Sequence, residues 1–100
     1  MKTARWHGVK DIRVEDIPEP KPGKGEVKIK VAWAGICGSD LHVWRGTYDV
    51  SRGHSEPFCL SIGHEMIGVV HELGDGVAGD SAGEPLATGD RIVFQYFVGC

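Results

Sequence analysis

Fifteen glycines and five prolines interrupt this 100-residue chain so often that the apolar runs between them are short, which favours strands over helices. The clearest strand is Glu26 to Ala34, where Val27, Ile29, Val31 and Trp33 share one parity and Lys28 and Lys30 the other; that alternation predicts one core face and one wet face. Ile12 and Val14 alternate in the same way with Arg13 and Glu15. Pro18, Pro20 and Pro22 with Gly23 and Gly25 then read as an extended connector. Further strands are expected from His64 to Leu73 and from Arg91 to Val98, in an antiparallel or barrel-like sheet. One helix is expected, from Gly38 to Trp44, opened by Ser39 and Asp40 as favoured capping types. Tyr48 to Ser61 and Ala78 to Gly89 lack periodicity and read as polar loops.

Charge and cysteine usage narrow the function classes. Eleven Lys and Arg against fourteen Asp and Glu give a net charge of −3, so no basic face offers itself to nucleic acid or to a membrane. Three cysteines, Cys37, Cys59 and Cys100, do not make a disulfide framework and fit a reducing compartment. The first residues carry neither a long apolar run nor a cleavage pattern, so a cytoplasmic location is expected. The chain stops two residues after an apolar run, which reads as a piece of a longer protein.

Two segments compete for a chemical role. Gly74-Asp75-Gly76-Val77-Ala78-Gly79 fits the G-x-G-x-x-G dinucleotide pattern, but that pattern works only where a helix starts and offers its N-terminus to a pyrophosphate. Here Asp80-Ser81-Ala82-Gly83-Glu84-Pro85 follows, without helical period, so a turn between strands is expected. By contrast, Gly35-Ile36-Cys37-Gly38-Ser39-Asp40-Leu41-His42 places a thiol, a hydroxyl, a carboxylate and an imidazole where a strand gives way to a helix. A cysteine at a helix N-terminus is biased towards the thiolate that metals need. Gly63-His64-Glu65 adds an imidazole at the start of the next strand, too far along the chain for a zinc finger but suited to a catalytic zinc site, which gathers distant ligands. A buried small cysteine and a hydrogen-bonded scaffold histidine are the bland alternative for this pair.

The ordered set GICGSDLH, SIGHE and GDRIV resembles the N-terminal catalytic domain of the zinc-dependent medium-chain alcohol dehydrogenases, marked by C-G-S/T-D-x-H, G-H-E and G-D-R-V. The opening MKTARWHGVKDIRVEDIPEP and the run GEVKIKVAWAGICGSDLH are most similar to the 2,3-butanediol dehydrogenases of that family. The resemblance spans nearly the whole chain. It implies a mainly β, GroES-like, partly open β-barrel with short helices, forming residues 1–100 of the catalytic domain of a two-domain α/β enzyme whose Rossmann cofactor domain lies outside this chain.

The same resemblance assigns roles. Cys37 and His64 would hold zinc, with Glu65 beside the metal, as a ligand in some relatives. Ser39 would take the substrate proton and His42 would pass it on through the cofactor ribose, so that His42 also touches the cofactor. Asp40 would orient the His64 ring. Plain helix capping competes for Ser39 and Asp40, and a strand-end charge for Glu65. The implied reaction oxidises a secondary alcohol or diol to a ketone with hydride transfer to NAD or NADP. The chemistry needs a metal, because zinc lowers the pKa of bound water to about 7, while a positioned base alone contributes about 10²–10⁴-fold. A homo-oligomeric parent, a third ligand beyond residue 100 and an inactive isolated piece are further expectations. A non-enzymatic GroES-like or metal-holding β module is the alternative. Gly99-Cys100 matches the start of a structural-zinc lobe without its other cysteines. Cys59 is expected to pack, His7, His54 and His71 to be surface or satisfied groups, and Trp44 with Tyr48 to line a channel or join the core.

Overall fold

The computed structural model of the chain describes residues 1–47 and 60–94. Seven elements follow one another: β1 (Lys2–Gly8), β2 (Asp11–Asp16), β3 (Val27–Gly35), α1 (Gly38–Arg45), β4 (Leu60–Ser61), β5 (Glu65–Leu73) and β6 (Arg91–Val93). They fall into two units, Met1–Glu19 with Gly35–His64, and Pro20–Ala34 with Glu65–Cys100. Strands dominate, as the glycine and proline punctuation requires, and α1 is the one helix among the described residues. The described strands form two three-stranded sheets, β2-β1-β4 and β3-β5-β6, with no closed barrel.

In the first unit β1 is the central strand, pairing antiparallel with β2 from Lys2↔Asp16 to Gly8↔Asp11 and with β4 at Arg5↔Ser61 and Trp6↔Leu60. Sequence periodicity did not find β1, because Trp6 is the single buried residue in it and Lys2, Arg5 and His7 break its apolar pattern. Between β1 and β2, Lys10 takes a left-handed φ of 59° and donates its amide to the Trp44 carbonyl at 2.7 Å. That bond fastens the hairpin to the end of α1. Glu15 receives His7, and Arg5 lies 3.7 Å from the same carboxylate. Trp6 and Val43 are the buried apolar residues of this unit. The expected loop Tyr48 to Ser61 is corrected at its end, where Leu60–Ser61 gains a strand by lying against β1; its residues 48–59 lie outside the described residues.

In the second unit β5 lies between β3 and β6, and β6 pairs with it antiparallel at Ile67↔Val93, Gly68↔Ile92 and Val69↔Arg91. Val70 is fully buried here, and its backbone receives the Gly89 amide at 2.9 Å and donates to the Asp90 carbonyl at 2.8 Å. Gly68 lets β3 and β5 approach: a Cβ there would stand 2.5 Å from the Lys30 carbonyl oxygen. The two-faced reading of β3 needs correction. Val27 and Ile29 are half-buried, but Val31 is 46% and Trp33 78% exposed. Among the described residues β3 is an edge strand with only β5 alongside, and the far half of its apolar face is uncovered there.

The strand expected over Arg91 to Val98 ends at Val93, with Phe94 already irregular and Tyr96 and Val98 outside the described residues. The glycine-rich segment after β5 is the expected turn, since no helix starts there. The Ala78 to Gly89 loop is more ordered than its lack of period implied. Asp80 Oδ1 accepts the amides of Ala82 and Glu84, Gly79 bridges to Pro85, and Asp90 Oδ2 accepts the Ala87 amide. Short polar side chains supply there the order that apolar spacing does not.

Candidate metal and proton-transfer site

The start of α1 builds the site. Cys37 is its N-cap residue, in extended conformation, and the Cys37 amide donates to Asp40 Oδ2 at 2.9 Å. The expectation that Ser39 and Asp40 open the helix is therefore corrected: both lie inside its first turn. Asp40 sits at the third helical position, where an acidic side chain reaches back to the N-cap amide. Sulfur at the N-cap leaves the thiol of Cys37 at the positive end of the helix dipole.

Asp40 also serves His64, the second role the sequence left open. Its Oδ1 lies 3.3 Å from His64 Nδ1, while Oδ2 holds the Cys37 amide. An ionised carboxylate only accepts, so a neutral His64 ring facing it would carry its proton on Nδ1 and its lone pair on Nε2. Ser39 Oγ stands 3.2 Å from that Nε2. The ligand atoms of Cys37 and His64 lie within 4.8 Å of each other. One zinc with bonds of about 2.3 Å to sulfur and about 2.0–2.1 Å to nitrogen spans nearly this distance, and a thiolate with a neutral imidazole is a donor set that suits it. The residues thus fit the metal that the sequence implied.

Glu65 follows His64 directly and opens β5, exposed, in the second unit. His42 lies three residues beyond Ser39 on α1, a spacing that places both on one helix face. Its Nδ1 is 3.0 Å from Thr47 Oγ1, a partner that the motif reading did not single out. The signal was present as Gly46-Thr47 immediately after the helix, since a glycine there predicts a tight C-terminal turn. Among the remaining expectations, His7 is satisfied by Glu15, His71 is exposed and Trp44 is half-buried. Tyr48, His54, Cys59 and Cys100 lie outside the described residues.

The family model for the alcohol dehydrogenase GroES-like domain matches residues 23–100. The (R,R)-butanediol dehydrogenase of Bacillus subtilis (strain 168) is 48% identical over 101 residues, which cover 95% of this chain and 28% of that protein. The crystal structure of 2R,3R-butanediol dehydrogenase from Bacillus subtilis superposes with a TM-score of 0.76 over 92% of this chain and 26% of its own. An alcohol dehydrogenase from E. coli CFT073, solved in complex with NADH, is 35% identical and superposes with a TM-score of 0.76 over 100% of this chain and 26% of its own. This chain spans little more than a quarter of the length of the proteins it matches.

Proposed function

The chain belongs to the alcohol dehydrogenase GroES-like domain family, and on this footing we propose that it forms the N-terminal part of the catalytic domain of a zinc-dependent dehydrogenase that oxidises a small secondary alcohol or diol with NAD or NADP. A Rossmann cofactor domain outside these residues would hold most of the dinucleotide. The observation that carries this reading is the approach of the ligand atoms of Cys37 and His64 to within 4.8 Å, with the Asp40 carboxylate 3.3 Å from His64 Nδ1. The likeness to butanediol dehydrogenases favours a vicinal diol as substrate. The likeness to an enzyme solved with NADH favours a nicotinamide cofactor.

Cys37 and His64 hold the metal, and Glu65 supplies a carboxylate beside it. Zinc held there would supply polarisation of the substrate hydroxyl, and a nicotinamide would supply the acceptor for the hydride of the carbinol carbon. Ser39, whose hydroxyl already lies against His64 Nε2, receives the substrate proton and passes on its own. His42, on the same face of α1 and exposed, accepts that proton and releases it to solvent. The alcohol loses a hydride and a proton and becomes a ketone. Asp40 holds His64 in the ligating tautomer throughout. The protein acts in the cytoplasm on a free small molecule, as a homo-oligomer.

The test uses the full-length protein, its zinc content and its diol-dependent reduction of NAD. Cys37→Ser and His64→Ala are each expected to lose the catalytic zinc and nearly all turnover. Retention of zinc and turnover in either variant would remove that residue from the metal site. Stoichiometric zinc with no oxidation of any alcohol would favour a metal-holding β module.

A further inference from the structure

We propose that Thr47 is a positioning residue for His42: it holds the ring in the Nδ1–H tautomer, so that the proton-accepting lone pair lies on Nε2. The inference rests on the role given to His42 above and adds to it the group that sets which nitrogen is basic.

The end of α1 fixes the geometry. Gly46, at a left-handed φ of 73°, donates its amide to the Val43 carbonyl at 3.1 Å, and Thr47 donates its amide to the His42 carbonyl at 3.0 Å. These two bonds form a Schellman turn, which fastens Thr47 to the backbone of the same residue whose ring it meets. The Thr47 hydroxyl lies 3.2 Å from the His42 carbonyl oxygen and 3.0 Å from His42 Nδ1. A hydroxyl has one proton to give, and a carbonyl has none. With the hydroxyl proton on the His42 carbonyl, the ring contact is completed only by Nδ1–H donating to Oγ1. The reverse arrangement, with the hydroxyl donating to Nδ1, leaves the carbonyl contact without a proton and keeps one bond in place of two. The hydrogen bond at one ring nitrogen thus sets the state of the other. A base must carry its lone pair on the atom that meets the proton. Nδ1 is occupied by Thr47, so Nε2 is the atom left to serve.

The experiment labels histidine with ¹⁵N in the full-length protein and reads the tautomer from long-range ¹H–¹⁵N couplings at a pH where the ring is neutral. The His42 signal is assigned by its absence in His42→Gln. In the native protein the Nδ1–H pattern is expected to dominate. Thr47→Val should shift the tautomer ratio about fivefold towards Nε2–H, the effect of one neutral hydrogen bond, and Thr47→Ser should restore the native pattern. A native ring in the Nε2–H form, or a ratio unmoved by Thr47→Val, overturns the proposal. The native spectrum decides this even where a variant fails to fold. Turnover separates the two readings: Thr47→Val should slow oxidation several-fold in the native background and not in His42→Gln. A native Nδ1–H ring together with undiminished turnover in His42→Gln would instead overturn the proton-transfer role of His42.

Discussion

Removing the Asp40 carboxylate perturbs two contacts at once, and the two losses can be measured apart. Oδ2 accepts the Cys37 amide at 2.9 Å, and Oδ1 lies 3.3 Å from His64 Nδ1, on a side chain only 14% exposed. Loss of a side-chain contact to a helix N-terminus costs about 0.5–2 kcal/mol. Loss of the carboxylate that orients a metal-binding imidazole weakens the metal about 10–100-fold, or about 1.4–2.8 kcal/mol. Asp40→Ala in the full-length protein is therefore expected to lower the denaturant midpoint of the metal-free form and to weaken zinc by that factor against a competing chelator. Asp40→Asn has a single acceptor oxygen. It can accept from the Cys37 amide or from His64 Nδ1–H but not from both, so it should retain most of the stability and lose part of the affinity. An Asp40→Ala protein that unfolds earlier yet binds zinc with native affinity would refute the reasoning, since it would show that Asp40 caps the helix without holding His64.

Two further outcomes follow from the fold. Gly68→Ala forces a Cβ against the Lys30 carbonyl, and overpacking of this kind should destabilise the protein by about 1–3 kcal/mol in chemical denaturation; native stability in that variant would mean that β3 and β5 are farther apart than described. The Arg13 guanidinium, hydrogen-bonded to both oxygens of Asp11, holds that exposed carboxyl below its ordinary pKa. A lowered folded-state pKa contributes stability above the unfolded value that is lost as pH falls through the folded one. Arg13→Ala should accordingly move the Asp11 titration upward by NMR and shrink the acid-side loss of stability, and an unmoved titration would contradict it.

The sequence made legible those parts that rest on local chemistry. Cys37 and His64 stood out because thiol and imidazole occur at a strand-to-helix turn and at a strand entrance, and the structure brings their ligand atoms within 4.8 Å. The helix was visible from Gly38 and runs one residue past Trp44. Its cap was misplaced because cysteine is not a favoured N-cap type, while Ser39 and Asp40 are. β1 escaped notice because a central strand of a small sheet with one buried residue has no period to read. The apolar alternation of β3 identified a strand but not its cover, since periodicity tells which residues share a face and not what lies against them. Thr47 was hidden for a different reason: its bearing on His42 comes from a backbone turn, which composition and spacing do not display.

The helix is only eight residues long, yet its first turn is closed by Asp40 and its last by Gly46 and Thr47. Clamped at each end, it works as a ruler whose marks cannot slide. Each residue added or deleted would swing everything downstream by about 100°, and between Ser39 and His42 it would part the two although neither had been altered. Side chains along this stretch are therefore open to exchange when the pocket is retuned, whereas its length is not, and one-residue insertions or deletions between Cys37 and Thr47 mark the edit that chemistry here should tolerate least.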